Sequence, residues 1–126
     1  MANRYWVGGT GNWSDATNHW ATSSGGAPGV GNTPTSADNV YFDASSFSGA
    51  GQTVTVDAAA NCLDMDWTGA TNTPTFTNSG AFAVLPTGSI TFIAAMTVSL
   101  QYFYPRPAAI CNYTMAGQTT GGIVSI

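Results

Sequence analysis

Beyond residue 37 the chain alternates hydrophobic and polar positions with a period of two, the signature of half-buried β-strands. Val40 and Phe42 fall on one side of a segment, and Tyr41 and Asp43 on the other. Thr53-Val54-Thr55-Val56-Asp57 repeats the pattern, with valines inward and threonines outward. From Cys62 to Trp67, Leu63, Met65 and Trp67 share one face, and Cys62, Asp64 and Asp66 the other. A one-residue slip there would carry both aspartates into the core, so the register is tightly specified. Further strands are expected around Phe76 (Pro74 to Thr77), around Phe82 and Val84 (Ala81 to Leu85) and around Ile90 and Phe92 (Ser89 to Ile93). Met96 to Tyr104, Ile110 to Met115 and Gly122 to Ile126 complete the ladder, the last as an apolar strand edge that another chain could cover. Thr, Ser, Gly and Asn punctuate the strands every eight to twelve residues or so, as in a sandwich, barrel or solenoid. The best helical candidate is one turn over Asp57 to Asn61. A weak internal likeness relates Asn78–Val84 to Pro86–Phe92, as adjacent rungs or a hairpin would.

The first twenty residues read differently. Trp6, Trp13 and Trp20 recur at seven-residue spacing, which suggests a helix face, but Gly8, Gly9 and Gly11 lie between them. Each glycine costs about 1 kcal/mol relative to alanine in a helix interior. The segment is better read as a short strand from Tyr5 to Val7, a glycine turn, and a loop folding Trp13 and Trp20 over the end of a β core. An indole buries on the order of 200 Å² and carries one N–H that wants a partner, so three of them can cap a small core. Residues 21 to 36, rich in Ser, Gly and Pro, form a long surface loop suited to act as a contact arm. The chain is therefore expected to be one all-β domain, residues 1–126, with a Trp/Gly-rich cap and loop arm over 1–37 and a strand core over 38–126. A short β-solenoid and a two-sheet β-sandwich both fit.

Composition narrows the function classes. Charged residues make up 6% of the chain, lysine and glutamate are absent, and Arg4, Arg106 and six aspartates give a net charge of −4. Nucleic-acid binding draws its affinity mainly from basic groups on phosphates, so that role is disfavoured, as is attachment to anionic membranes. No run approaches the ~20 apolar residues of a membrane-spanning helix, so no insertion is expected. Residues 1 to 20 show no basic start followed by an apolar run, so no Sec signal is read. With 44% apolar and 12% aromatic residues the chain can fold despite its low charge. Its polar surface must then be Thr, Ser, Asn and Gly, which suit stacked strands. Cys62 and Cys111 are read as buried free thiols rather than as a bridge.

Candidate chemistry is sparse. Asp64 and Asp66, on one strand face with carboxylates about 7 Å apart from the strand rise, have a spacing compatible with inverting glycoside hydrolysis. No third polar group or aromatic wall can be placed beside them, so a solvent-facing pair is the preferred reading, and no loop of calcium-ligand spacing accompanies them. His19 lacks a nucleophile elbow and is read as packed beside the aromatic cluster. One histidine and two distant cysteines cannot close a zinc site, and Gly8-Gly9-Thr10-Gly11 without lysine or a following helix is a tight turn rather than a phosphate loop. No cofactor, metal or catalytic residue is assigned. Trp6, Trp13, Trp20 and Trp67 are the candidate binding residues, either as a buried cap or as a docking surface. With Tyr41 they would form a sugar-stacking platform if exposed.

Tyr5-Trp6-Val7-Gly8-Gly9-Thr10-Gly11-Asn12-Trp13, then Asn18-His19-Trp20, a Ser/Gly run, Pro34 to Asp43 and the Thr/Val/Phe ladder together resemble the N-terminal part of tailed-bacteriophage virion proteins of the tail-fibre, tailspike and capsid-decoration kind. Some secreted β-helical adhesins share this style. The likeness covers roughly the first hundred residues and transfers no active site. It implies a non-enzymatic structural protein of the virion surface, assembled with other capsid or tail proteins as a homo-oligomer, trimer favoured. The alternatives are a carbohydrate-binding or adhesin module using surface tryptophans on a host polysaccharide, and a sugar-cleaving tailspike fragment using Asp64 and Asp66.

Overall fold

The computed structural model describes residues 2–107 and 109–120 and the backbone of residues 123–124. The chain winds as a short β-solenoid, with strands of two to four residues stacked into three mostly parallel sheets. Three full turns carry the pattern. The first is β4 (Asn39–Tyr41), β5 (Thr53–Val56) and β6 (Ala60–Cys62). The second is β7 (Met65–Asp66), β8 (Thr75–Asn78) and β9 (Val84–Pro86). The third is β10 (Ile90–Thr91), β11 (Thr97–Ser99) and β12 (Tyr102–Phe103). At the N-terminal end β1 (Asn3–Trp6) and β2 (Gly11–Asn12) join two of the sheets, and at the other end β13 (Tyr113–Thr114) and β14 (Ile123–Val124) extend two. The only antiparallel strand pairing among the described residues is β1 with β3 (Trp20–Ala21), which follows the single-turn helix α1 (Ala16–His19). The resulting sheets run β13-β10-β7-β4-β1-β3, β11-β8-β5-β2 and β14-β12-β9-β6.

Parallel in-register stacking places like positions above one another. Val40, Met65 and Ile90 are mutual partners, as are Val54, Phe76 and Val98, and Ala60, Val84 and Phe103. All nine are buried and form columns running up the inside of the coil. Aromatic rings add a second line of contact: Phe42 lies flat on Trp67 with centroids 3.7 Å apart, Trp67 meets Phe76 at 5.1 Å, and Phe76 meets Phe92 at 6.4 Å. Phe47, from the turn between β4 and β5, enters the same stack against Trp67 at 6.0 Å.

One corner of the coil is stitched by a side-chain ladder. Asn39 Oδ1 accepts from the Asp64 N–H, Asp64 Oδ1 from the Ser89 N–H, and Ser89 Oγ from the Asn112 N–H. The sequence separations are 25, 25 and 23 residues, and on the next sheet Thr77 bonds Ser99 across 22, so one turn takes between 22 and 25 residues. Gly88 is required at this corner. A Cβ there would collide with Asp64 Oδ1 and stand 2.8 Å from the Leu63 carbonyl oxygen.

Several expectations are corrected. Cys62 to Trp67 is not one strand: the coil turns at Leu63-Asp64, so Cys62 ends β6 in one sheet and Met65 begins β7 in another. Cys62 therefore points inward together with Met65 and Trp67 instead of opposing them. Met96 to Tyr104 divides at the same kind of corner into β11 and β12. Ala81 to Leu85 becomes a strand only from Val84, leaving Phe82 47% exposed. Asp57 to Ala59 is the bend that carries the chain from β5 into β6, with Ala60 and Asn61 already in the strand, while the one helical turn among the described residues lies at Ala16–His19. The likeness between 78–84 and 86–92 relates neither neighbouring rungs nor a hairpin, because β8, β9 and β10 follow one another onto three different sheets. Ile123–Val124 pairs with Tyr102–Phe103, and the expected ends of that strand, Gly122, Ser125 and Ile126, lie outside the described residues.

The inner column makes a direct prediction for stability. Phe76→Ala removes a fully buried ring from the middle of the stack and should cost about 3–5 kcal/mol, whereas Thr75→Ala, one residue away and outward, should change stability by less than ~1 kcal/mol. Urea unfolding followed by tryptophan fluorescence measures both, and equal losses would refute the columnar core.

Candidate functional site

The N-terminal end is closed by the three tryptophans expected there. Gly8 and Gly9 adopt positive φ of 84° and 69° and reverse the chain after β1, which lets the Trp6 indole N–H donate to the Gly9 carbonyl at 2.8 Å. Trp20 meets Trp6 edge-on at 5.1 Å and Trp13 at 4.8 Å, and its own N–H donates to the Trp13 carbonyl at 2.8 Å. Asp57 fastens the loop from outside, accepting from the Ser14 N–H at 2.9 Å and the Ser14 hydroxyl at 2.5 Å. His19 lies flat on Trp6 at 4.5 Å and its Nδ1 is 2.7 Å from the Val7 carbonyl oxygen, so that nitrogen carries the proton. Its Nε2 faces Gly11, where any Cβ would occupy the ring's own space.

All four tryptophans proposed for binding, Trp6, Trp13, Trp20 and Trp67, are 0% exposed. The cap reading holds for the first three. Trp67 belongs to the central stack on Phe42. A sugar-stacking platform required at least two of these indoles on a flat open surface, and burial removes every indole face from solvent. Tyr41 is only half-exposed and stacks on Tyr5 at 5.1 Å. Burial first, then the neighbouring Tyr5, Asp66 and Asp64, push its phenol above the ordinary value.

Asp64 and Asp66 flank the inward-pointing Met65 and so share the outer face, as expected, yet each carboxylate has a structural partner. Asp64 accepts from the Ser89 N–H at 2.7 Å and Asp66 from the Thr68 N–H at 2.8 Å. The other aspartates act similarly. Asp43 accepts from the Ser45 N–H and the Ser24 hydroxyl, tying the long loop to the coil. Asp38 accepts from the Ala2 N–H, the Thr35 N–H and the Thr35 hydroxyl at 3.2, 2.9 and 3.0 Å. Among the described residues no group of three or more His, Cys, Asp or Glu could hold a metal ion, and no helix is long and apolar enough to cross a membrane.

Sequence reading missed two structural residues at this end. Ser46, fully buried, donates its hydroxyl to the Trp6 carbonyl at 2.7 Å and accepts from the Asp43 N–H, and Asn72 donates to the Phe47 carbonyl at 2.7 Å. Both lie in polar turns, where composition gives no sign that Ser46 is buried or that the exposed Asn72 holds the backbone of Phe47. The thiols are both free, Cys62 buried and Cys111 half-exposed, so the expectation of two buried cysteines is met only at Cys62.

Comparison with known proteins finds no matching family model, no matching curated protein and no matching solved structure.

Two predictions follow from the partners just described. Burial opposes ionisation of Asp38, but the Thr35 N–H and hydroxyl, the Ala2 N–H and the field of Arg4 outweigh it and hold the carboxyl below the ordinary value of 3.8. A depressed folded pKa contributes stability that is complete above the unfolded value and is lost as pH falls through the folded one. Asp38→Asn should therefore be less stable than the parent at neutral pH and should lose less on acidification below 3.8. Urea midpoints measured across that range test it, and parallel curves would remove Asp38 as the cause. Burial, and secondarily Asp64, push the Cys62 thiol far above its ordinary range, so one thiol per chain, Cys111, should react with a disulfide reagent in the native state and two after denaturation.

Proposed function

We propose that this chain is a non-enzymatic structural component of a phage virion, a capsid decoration or tail-fibre protein that works by assembly with other virion proteins. The observation that carries the reading is the commitment of its chemistry-bearing groups to structure. Asp38, Asp43, Asp57, Asp64 and Asp66 hold backbone N–H groups, His19 is sealed into the tryptophan cap, and Cys62 lines the core. Carboxylates bound in this way serve as corner fasteners, a use at odds with the free acid and base that glycoside hydrolysis requires. A coil built from repeated short strands provides rigidity and lateral surface, which suits a particle component exposed to mechanical and proteolytic stress. The resemblance of the opening Tyr-Trp-Val-Gly-Gly-Thr-Gly-Asn-Trp segment to virion proteins supplies the phage context.

A homo-oligomer, trimer favoured, is part of this proposal, since symmetric association covers exposed strand edges. Light scattering behind a sizing column should give a mass three times that of the chain, and addition of virions or capsids should move the protein into the particle fraction. A monomer that ignores particles would refute the proposal.

A further inference from the structure

The outer face of the sheet β11-β8-β5-β2 is a two-dimensional array of short hydroxyl side chains. Val54, Val56, Phe76 and Val98 point into the core, so their neighbours point out. Strand pairing aligns Thr53, Thr75 and Thr97 in one column and Asn12, Thr55, Thr77 and Ser99 in the next. Thr10 continues the first column, and its hydroxyl accepts from the Thr53 N–H at 3.1 Å. Three successive rungs thus present Thr-Val-Thr, Thr-Phe-Thr and Thr-Val-Ser, each with its two flanking hydroxyls outward and its middle residue buried.

The spacing of this array is fixed by backbone geometry. Successive rungs are about 4.8 Å apart, and residues i and i+2 on one rung about 6.6 Å. The rung spacing lies near the shorter oxygen–oxygen repeat in the growth faces of ordinary hexagonal ice, and the spacing along a rung falls somewhat below the longer one. None of the positions is charged, so nothing in the face pulls water into the radial shells that surround ions. Each threonine in the columns carries a methyl beside its hydroxyl, and the hydroxyls can accept from ordered water. Two hydroxyls are already oriented by donation to backbone carbonyls, Thr77 to Ser99 at 3.0 Å and Thr53 to Gly51 at 3.3 Å, so each keeps its acceptor lone pairs for other partners.

We propose that this threonine face binds the surface of ice, holding a layer of water in lattice-like positions. A protein partner would be matched by shape and charge. What this face offers instead is a repeat in two perpendicular directions with neither charge nor a large side chain, and a crystal lattice of water is the occupant with the same property. The inference goes beyond the assembly reading and does not depend on it.

The test is ice recrystallisation inhibition and ice-crystal shaping by the intact chain, compared with Thr75→Tyr, which places a ring at the centre of the array, and with Thr91→Tyr on the six-stranded sheet. Thr97→Tyr, at the exposed edge rung, serves if Thr75→Tyr fails to fold as judged by circular dichroism. The parent and Thr91→Tyr should restrain recrystallisation and facet growing crystals, and the array variants should lose both effects. Unrestrained growth with the parent chain would overturn the proposal. So would equal loss in Thr91→Tyr, or a change of solution mass caused by Thr75→Tyr, which would make the face a contact between copies.

Discussion

In-register parallel pairing is the constraint on which the rest of this molecule depends. Because Val40 stands on Met65 and Met65 on Ile90, a residue type chosen for one rung meets itself or its equivalent on the next. Inside, this rewards apolar and flat side chains, which stack without leaving voids, as Phe42 does on Trp67. Outside, it penalises charge, since like charges on adjacent rungs would stand one strand spacing apart. The near absence of Lys, Arg and Glu from the sequence and the abundance of Thr, Ser and Asn are two expressions of that rule.

The same pairing leaves the ends of the coil with unmet needs. At the N-terminal end β3 runs antiparallel against β1, and the Trp6, Trp13 and Trp20 cluster covers the last apolar layer, so the segment that breaks the coil's pattern is the one that closes it. The closure is polar in its fastening and apolar in its substance. Gly9 and Trp13 carbonyls, the Ser46 hydroxyl and the His19 ring satisfy groups that the turn would otherwise strand. The Trp13 and Trp67 indole N–H groups have no hydrogen-bond partner, so there the burial of the ring outweighs an unmet donor.

Much of this was legible in the sequence. Alternation placed Val40, Phe42, Val54, Val56, Phe76, Ile90 and Phe92 correctly in the core, and the glycine-interrupted tryptophans read correctly as a cap. The corners were not legible. At Leu63-Asp64 and at Leu100-Gln101 the chain changes sheet without a glycine or proline, so two short strands read as one long one and the inward side of Cys62 was inverted. The repeat was hidden for a related reason. Turns of unequal length separate strands of two to four residues, and what repeats is a position in the coil, with no shared residue string. For the candidate site, residue types alone could not tell a free carboxylate from one holding a backbone N–H across 25 residues, as Asp64 does.

The long segment between β3 and β4 leaves the coil beside the tryptophan cap and returns to the neighbouring rung, held at intervals by Ser24 on Asp43 and by the Asp38 carboxylate. Its departure and re-entry points are set by the sheets, and its own path contributes little to the core. Between those anchor points the segment can change length and chemistry while the coil keeps its strand pairing. The coil then behaves as a mount and the segment as its fitting, replaceable between the fastenings but not at them.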